Sequence, residues 1–256
     1  MGQLKRWGVA ALLGLSLAPA MAAPDDTATE TRPLDARVVR VKVDGRIDVR
    51  LKQGPVPSLV ISGERKLLAG TTSEQHGDTL TISNEARGFH FGRRGHRLRA
   101  ELTLPTLREV ATESVGSADV SGFSGDELDL KLDGAGSMKI HCSYRLVTAV
   151  LGGVGSMQID GGSQEGIDVN LRGAGVVTLR GSSKWLKASL NGLGSMDAQH
   201  LLVDTVTLDL SGLGNASVSA RQNANLNLSG LGSVTVYGKP VNRSVTVDGL
   251  GKVNWK

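Results

Sequence analysis

The chain has 256 residues, of which 34 are glycine, only 3% are aromatic and one, Cys142, is a cysteine. A core must therefore be aliphatic, and neither an internal disulfide framework nor a cysteine zinc cluster can be built. Lys+Arg number 29 against 25 Asp+Glu, a net charge of +4 that is partly carried by the first few residues; this is too weak a field to argue for nucleic acid.

Lys5 and Arg6 precede an apolar run from Val9 to Leu17, followed by Pro19 and small residues. This is the layout of a secretory signal peptide over 1–22, with Ala20-Met21-Ala22 as the cleavage site. The run of about nine residues falls short of the ~20 that a membrane-spanning helix needs. No cysteine stands at the boundary, so no lipid anchor is expected there. Residues 23–36, polar with Pro24 and Pro33, read as a disordered lead-in.

The remainder, 37–256, reads as one parallel β-helix domain, with irregular coils over 37–107 and regular repeats over 108–256. In the irregular part Val39, Val41, Val43, Ile47, Val49 and Leu51 alternate with polar residues, and strand patterns recur in "DTLTISN" and "LRAELTLP". A separate small domain joined near Pro105 is the alternative.

The regular part repeats a G-x-G motif, in "KLDGAGSMKI", "LGGVGSMQI" and five further copies. The paired glycines are Gly134 and Gly136, Gly153 and Gly155, Gly173 and Gly175, Gly192 and Gly194, Gly212 and Gly214, Gly230 and Gly232, and Gly249 and Gly251, spaced 18 to 20 residues from copy to copy. A weaker copy places Ser114 and Gly116 one period upstream. Leu128, Leu130 and Leu132 alternate with charged residues before the first corner, as Met138 and Ile140 do after it, so each copy is strand, glycine corner, strand.

A period near 19 is too short for a propeller blade or a helical hairpin repeat, which take roughly 33 to 45 residues, and suits one turn of a parallel β-helix. The crossover rule favours right-handed winding, giving an all-β, right-handed, single-stranded parallel β-helix. Seven copies at about 4.8 Å make a rod roughly 30 Å long. Both glycines share the parity of the buried residues, so a side chain there is expected to point into the inside of the bend, and glycine also permits positive φ. The residue between them, in the row Ala135, Val154, Ala174, Leu193, Leu213, Leu231 and Leu250, has the opposite parity. It forms an exposed apolar stripe if the corner preserves phase; the expectation is that the bend rotates it inward.

The signal segment, "VRLKQG", "LTLPTLREV" running into "SVGSADV", and the repeated "GLGS" or "GLGN" corners together resemble the GIN-domain family, a family of auto-transporter adhesin head domains with no assigned function. The resemblance spans about 37–255. It implies a right-handed parallel β-helix exported across the inner membrane of a Gram-negative bacterium, periplasmic or associated with the outer membrane or cell surface, and it brings no catalytic residue. An auto-transporter also carries a translocating barrel, and none is expected here, since the last corner is followed only by "KVNWK".

Candidate chemistry is sparse. Met138, Met157 and Met196 share a phase that could suggest soft-metal ligation, but they alternate with Val177 and Ala216 at buried parity and read as core. Asp129 and Asp168 share an outward column two coils apart, about 9.6 Å, a separation open to an inverting carboxylate pair, yet no basic or aromatic group gathers there. The histidines His76, His90, His96, His141 and His200 fall on unrelated phases, which weakens metal or triad proposals. No cofactor and no metal are expected.

The distinctive non-repeat stretch "ARGFHFGRRGHRLRAEL" clusters Arg87, His90, Arg93, Arg94, His96, Arg97 and Arg99 with Phe89 and Phe91. In an exported protein such a set is a candidate site for the phosphates or carboxylates of lipopolysaccharide or an acidic glycan. The bland alternative is a solvated basic loop. Trp255 has buried parity and is placed to cover the last coil. The expected function is a non-enzymatic, adhesin-like envelope-binding module, with envelope polysaccharide, lipopolysaccharide or another envelope protein as partner; a polysaccharide-acting β-helix enzyme and a self-assembling structural element are the alternatives.

Overall fold

A computed structural model describes residues 27–84 and 98–256; the signal segment 1–22 lies outside the described residues. In chain order the first part holds β1 (Thr27–Arg32), β2 (Arg40–Gly45), β3 (Ile47–Gln53), β4 (Ser58–Glu64), a short helix α1 (Arg65–Ala69), β5 (Thr71–His76), β6 (Thr79–Asn84), β7 (Leu98–Leu104) and β8 (Glu109–Ser114). The repeats follow as β9 (Ser117–Leu132), β10 (Ala135–Leu151), β11 (Val154–Leu171), β12 (Ala174–Leu190), β13 (Ser195–Leu210) and β14 (Asn215–Leu228), then β15 (Ser233–Tyr237), β16 (Asn242–Val247) and β17 (Lys252–Trp255).

From β8 onward every pairing is parallel, and each repeat lies against the next with its corner in register: Gly136 against Gly155, Gly155 against Gly175. The chain is a parallel β-solenoid. Alternation puts Met138, Ile140, Val147, Ala149 and Leu151 of β10 inside, with their equivalents above and below, in one aliphatic core that also takes in β2, β3, β6 and β7. The methionine column belongs to this core, with Met138, Met157, Val177 and Met196 stacked and buried.

Repeats of unequal length stay in register because the difference is absorbed at one place. Register shifts fall between Cys142 and Leu146, between Asp160 and Ser163, between Thr178 and Arg180, and between Ala198 and Leu202, all on the bend opposite the glycine corners. That bend carries large side chains, Tyr144 inside it and Trp185 partly exposed over it. Tyr144 is buried, donates its O–H to Leu107 O at 2.6 Å and packs over Gly125, while the Trp185 indole occupies the space that a side chain on Gly166 would need. Neither aromatic recurs with the glycine period, so the repeat pattern gives no sign of them.

The irregular part stacks onto the repeats out of chain order. Strands β2 and β3 pair parallel with β8 and β9 on one side and with β6 and β7 on the other. The coil that comes first in sequence therefore lies second along the axis. Beyond it the ladder turns antiparallel, through β4 on β7, β1 on β4 and β5 on β6, and α1 contributes buried Leu68.

This corrects the expected lead-in: within 23–36, Thr27–Arg32 is a paired strand. Its polar side chains hid it, and it is held by backbone pairing to β4 and by Arg32, whose Nη1 donates to Thr71 O at 2.7 Å. At the other end β17 lies on β15, with partly buried Trp255 against Val236 and the Arg243 guanidinium 4.3 Å from its ring centre.

The corners differ from the expected mechanism. Positive φ occurs at Gly45, Gly63, Gly77, Gly122, Gly181 and Gly238, and at no described G-x-G glycine. At the first glycine of a pair the steric block runs along the axis: a Cβ on Gly192 would overlap Gly173 O, and one on Gly212 would overlap Gly192 O; at the second glycine it runs both along the axis and inward, a Cβ on Gly194 meeting Gly175 O and the core side chain of Leu171 at 2.8 Å. The carbonyls at the first glycines also accept the N–H of the next residue, with Leu193 N to Gly173 O at 3.1 Å and Leu213 N to Gly192 O at 3.2 Å. A corner side chain would thus part successive coils.

Candidate functional surface

The residue between the corner glycines is not rotated inward. Val154 is 63% exposed, Leu193 60%, Leu213 51%, Leu231 55% and Leu250 84%. The bend keeps phase because its tightness comes from removing Cβ along the axis as well as inward, leaving the middle residue at the outer apex. These side chains stand in one row, a straight apolar ridge along one edge of the solenoid. The rows two residues to either side, Gly152 to Ser229 and Ser156 to Ser233, are glycine, serine, asparagine and valine with one charge, Arg172, and at the end of the row Asp248 and Lys252 flank Leu250.

The opposite bend carries ion pairs. Arg145 meets Glu165 at 2.7 Å and Asp126 at 3.4 Å, Lys184 meets Glu165 at 3.5 Å, and Arg221 meets Asp204 at 3.9 Å. The hydrogen bond from Arg145, helped by the nearby Lys184 charge, holds the Glu165 carboxyl below its ordinary range. The solenoid is amphipathic across its section, apolar and charge-poor at one edge and charged at the other.

A shallow cleft of about 310 Å³ on the charged side is lined by Ser124, His141, Cys142, Ser143, Asp160 and neighbouring glycines. His141 Nδ1 lies 3.2 Å from Asp160 Oδ2, which also accepts from Gln158 Nε2 at 2.7 Å. The expectation that the histidines share no phase needs correcting here. Register runs Ser121, His141, Asp160, Arg180, His200 in one column, and the bulge after Asp197 brings His200 into it. Burial pushes the Cys142 thiol up to about 12, so it is a neutral thiol and a poor nucleophile at ordinary pH.

Among the other sequence-derived candidates, Asp129 and Asp168 do share a column with Thr148 between them, on the outer face of the sheet, and Lys187 Nζ stands 3.9 Å from Asp168. Of the basic set, Arg87, His90, Arg93, Arg94, His96 and Arg97 lie outside the described residues. Arg99 is exposed on β7 and lines a second cleft of about 470 Å³ with Thr27, Thr29, Asp48 and Ser62. Among the described residues no group of three His, Cys, Asp or Glu side chains is placed to hold a metal, and no helix is long and apolar enough to cross a membrane.

A parallel β-solenoid with 18- to 20-residue coils, glycine corners and an exposed apolar edge defines the class of protein. Within that class the chain belongs to the family described as "Putative auto-transporter adhesin, head GIN domain", which matches residues 39–240. Comparison with curated proteins gives no match. Among solved structures, a "putative adhesin" of Parabacteroides merdae is similar with a TM-score of 0.75 at 17% identity, covering 91% of this chain and 97% of its own. One from Parabacteroides distasonis gives 0.75 at 19%, covering 90% and 97%. One from Bacteroides fragilis gives 0.64 at 21%, covering 91% and 98%. The shared property at these identities is the fold. The family description is of adhesins, not enzymes.

Proposed function

We propose that this protein is an exported, non-enzymatic binding module of the bacterial envelope, and that it meets its target with an edge of the solenoid and not with a pocket. The observation that carries the reading is the unbroken apolar row from Val154 to Leu250. Contiguous exposed apolar surface on a rigid support marks a contact site. The non-catalytic half of the reading is supported by the placement of the polar groups: Asp129 and Asp168 stand on an open sheet face with Thr148 between them, and Cys142 is held as a neutral thiol.

An anionic glycan or lipopolysaccharide is the second contact in this reading, made by Arg87, His90, Arg93, Arg94, His96, Arg97 and Arg99. The reading is tested by adding the purified chain to isolated envelope fractions. Wild type is expected to be retained, with retention falling when Leu193, Leu213 and Leu231 are replaced together by serine. Replacing the arginines of the basic set by alanine should bring elution from heparin to lower salt while leaving the fold intact. A wild type that fails to associate with any envelope fraction defeats the reading, and unchanged heparin elution defeats the anion contact.

A further inference from the structure

We infer that the apolar ridge seats on a lipid surface, inserting its leucines to side-chain depth among the acyl chains of a bilayer whose headgroups need carry no net charge. This rests on the reading of the ridge as a contact site. The argument for lipid over other occupants comes from shape, charge and area.

In shape the ridge is convex and straight. Val154, Ala174, Leu193, Leu213, Leu231 and Leu250 sit at successive corners, five coil steps of about 4.8 Å, or about 24 Å in all. A protein partner would need a matching apolar groove of that length, whereas a lipid surface deforms around a ridge.

Charge points the same way. The positions flanking Leu193, Leu213 and Leu231 carry no charge, while Arg172 flanks Ala174 and Asp248 and Lys252 flank Leu250 at the end of the row, so inserting the three central leucines to side-chain depth desolvates no ionised group beside them. The charged bend with Arg145, Glu165 and Lys184 faces away and stays in water. An apolar stripe opposed to a charged one is the pattern of elements that lie in the membrane interface. The scarcity of basic residues beside the stripe makes the attraction apolar and not electrostatic.

Area argues against a second copy. Each exposed ridge side chain offers on the order of 100 Å², so two ridges pressed together would bury roughly 500 Å² a side, against the about 800 Å² per partner of a stable specific interface.

The test is co-sedimentation of the full chain, purified from a host that exports it, with vesicles of phosphatidylcholine and phosphatidylethanolamine at about 0.05 and about 0.5 M salt. Wild type is compared with the Leu193→Ser, Leu213→Ser, Leu231→Ser triple variant, which shares the same N-terminus, so the difference between them reads the ridge. The expected result is wild-type partition at both salt concentrations and a drop of about tenfold or more in the variant, with an unchanged melting temperature because the three positions are exposed.

Wild type that stays in the supernatant, or a variant that partitions equally, overturns the inference. So does binding that appears only with phosphatidylglycerol and vanishes in high salt, which would assign it to basic residues. A light-scattering mass of twice the chain that reverts to one chain in the variant assigns the ridge to a second copy and overturns it as well. Retention by whole envelope fractions through these leucines, without vesicle binding, defeats lipid as the occupant while leaving the envelope-binding reading standing; loss of both defeats both.

Discussion

Replacing Gly192 by alanine tests the account of the corners most directly. The new Cβ would overlap Gly173 O, and carbon and oxygen need about 3.3 Å, so the two coils would have to part by about 1 Å at that point. Across that gap Leu193 N donates to Gly173 O at 3.1 Å, and Asn191 N donates to Leu171 O at 2.8 Å. Parting the backbone by that much takes these bonds beyond hydrogen-bonding range. Two or three ladder bonds lost at about 1 to 1.5 kcal/mol each give a cost of about 3–4 kcal/mol.

The adjacent Leu193→Ala, which removes an exposed side chain, should cost less than about 0.5 kcal/mol. Gly251→Ala should fall between the two, since a Cβ there meets the Leu228 side chain at 3.0 Å and Gly232 O only at 3.4 Å. Urea unfolding followed by circular dichroism reads all three. If Gly192→Ala costs under about 1 kcal/mol, or if Leu193→Ala matches it, axial exclusion is not what keeps glycine at these corners.

Other expectations concern the opposite bend. Burial pushes the Cys142 thiol from an ordinary 9.0 up to about 12, so the unfolded chain releases this proton before the folded one does. Stability from this group is level below about pH 8.5 and falls as pH rises toward about 12, by about 1.4 kcal/mol per pH unit. Cys142→Ala should raise the alkaline unfolding midpoint, and the native thiol should label far more slowly than a free one; unchanged midpoint or full reactivity contradicts its burial. Tyr144→Phe removes the buried hydrogen bond to Leu107 O and should cost about 1–2 kcal/mol. A variant as stable as wild type in the same denaturation assay would show that the bond adds nothing.

The regular coils were legible because their signals are local. A two-residue alternation such as Leu128, Leu130, Leu132, and a glycine pair recurring every 18 to 20 residues, follow from backbone geometry alone. The sequence by itself therefore determined strand, corner and stacking, along with the aliphatic core and the resemblance to the adhesin-head family.

What it left undecided depends on which backbone lies beside which. The outward direction of the apolar ridge depends on the glycine pair being blocked along the axis as well as inward, which only the neighbouring coil's carbonyl reveals. The column from Ser121 through His141 and Asp160 to His200 exists because a bulge after Asp197 shifts register by one residue. The coil of β2 and β3 lies between β6–β7 and β8–β9 because pairing partners can be distant in sequence. The polar strand β1 forms because β4 offers it an edge. Tertiary structure decided these features, since register, edge pairing and axial contact are non-local and leave no period in the chain.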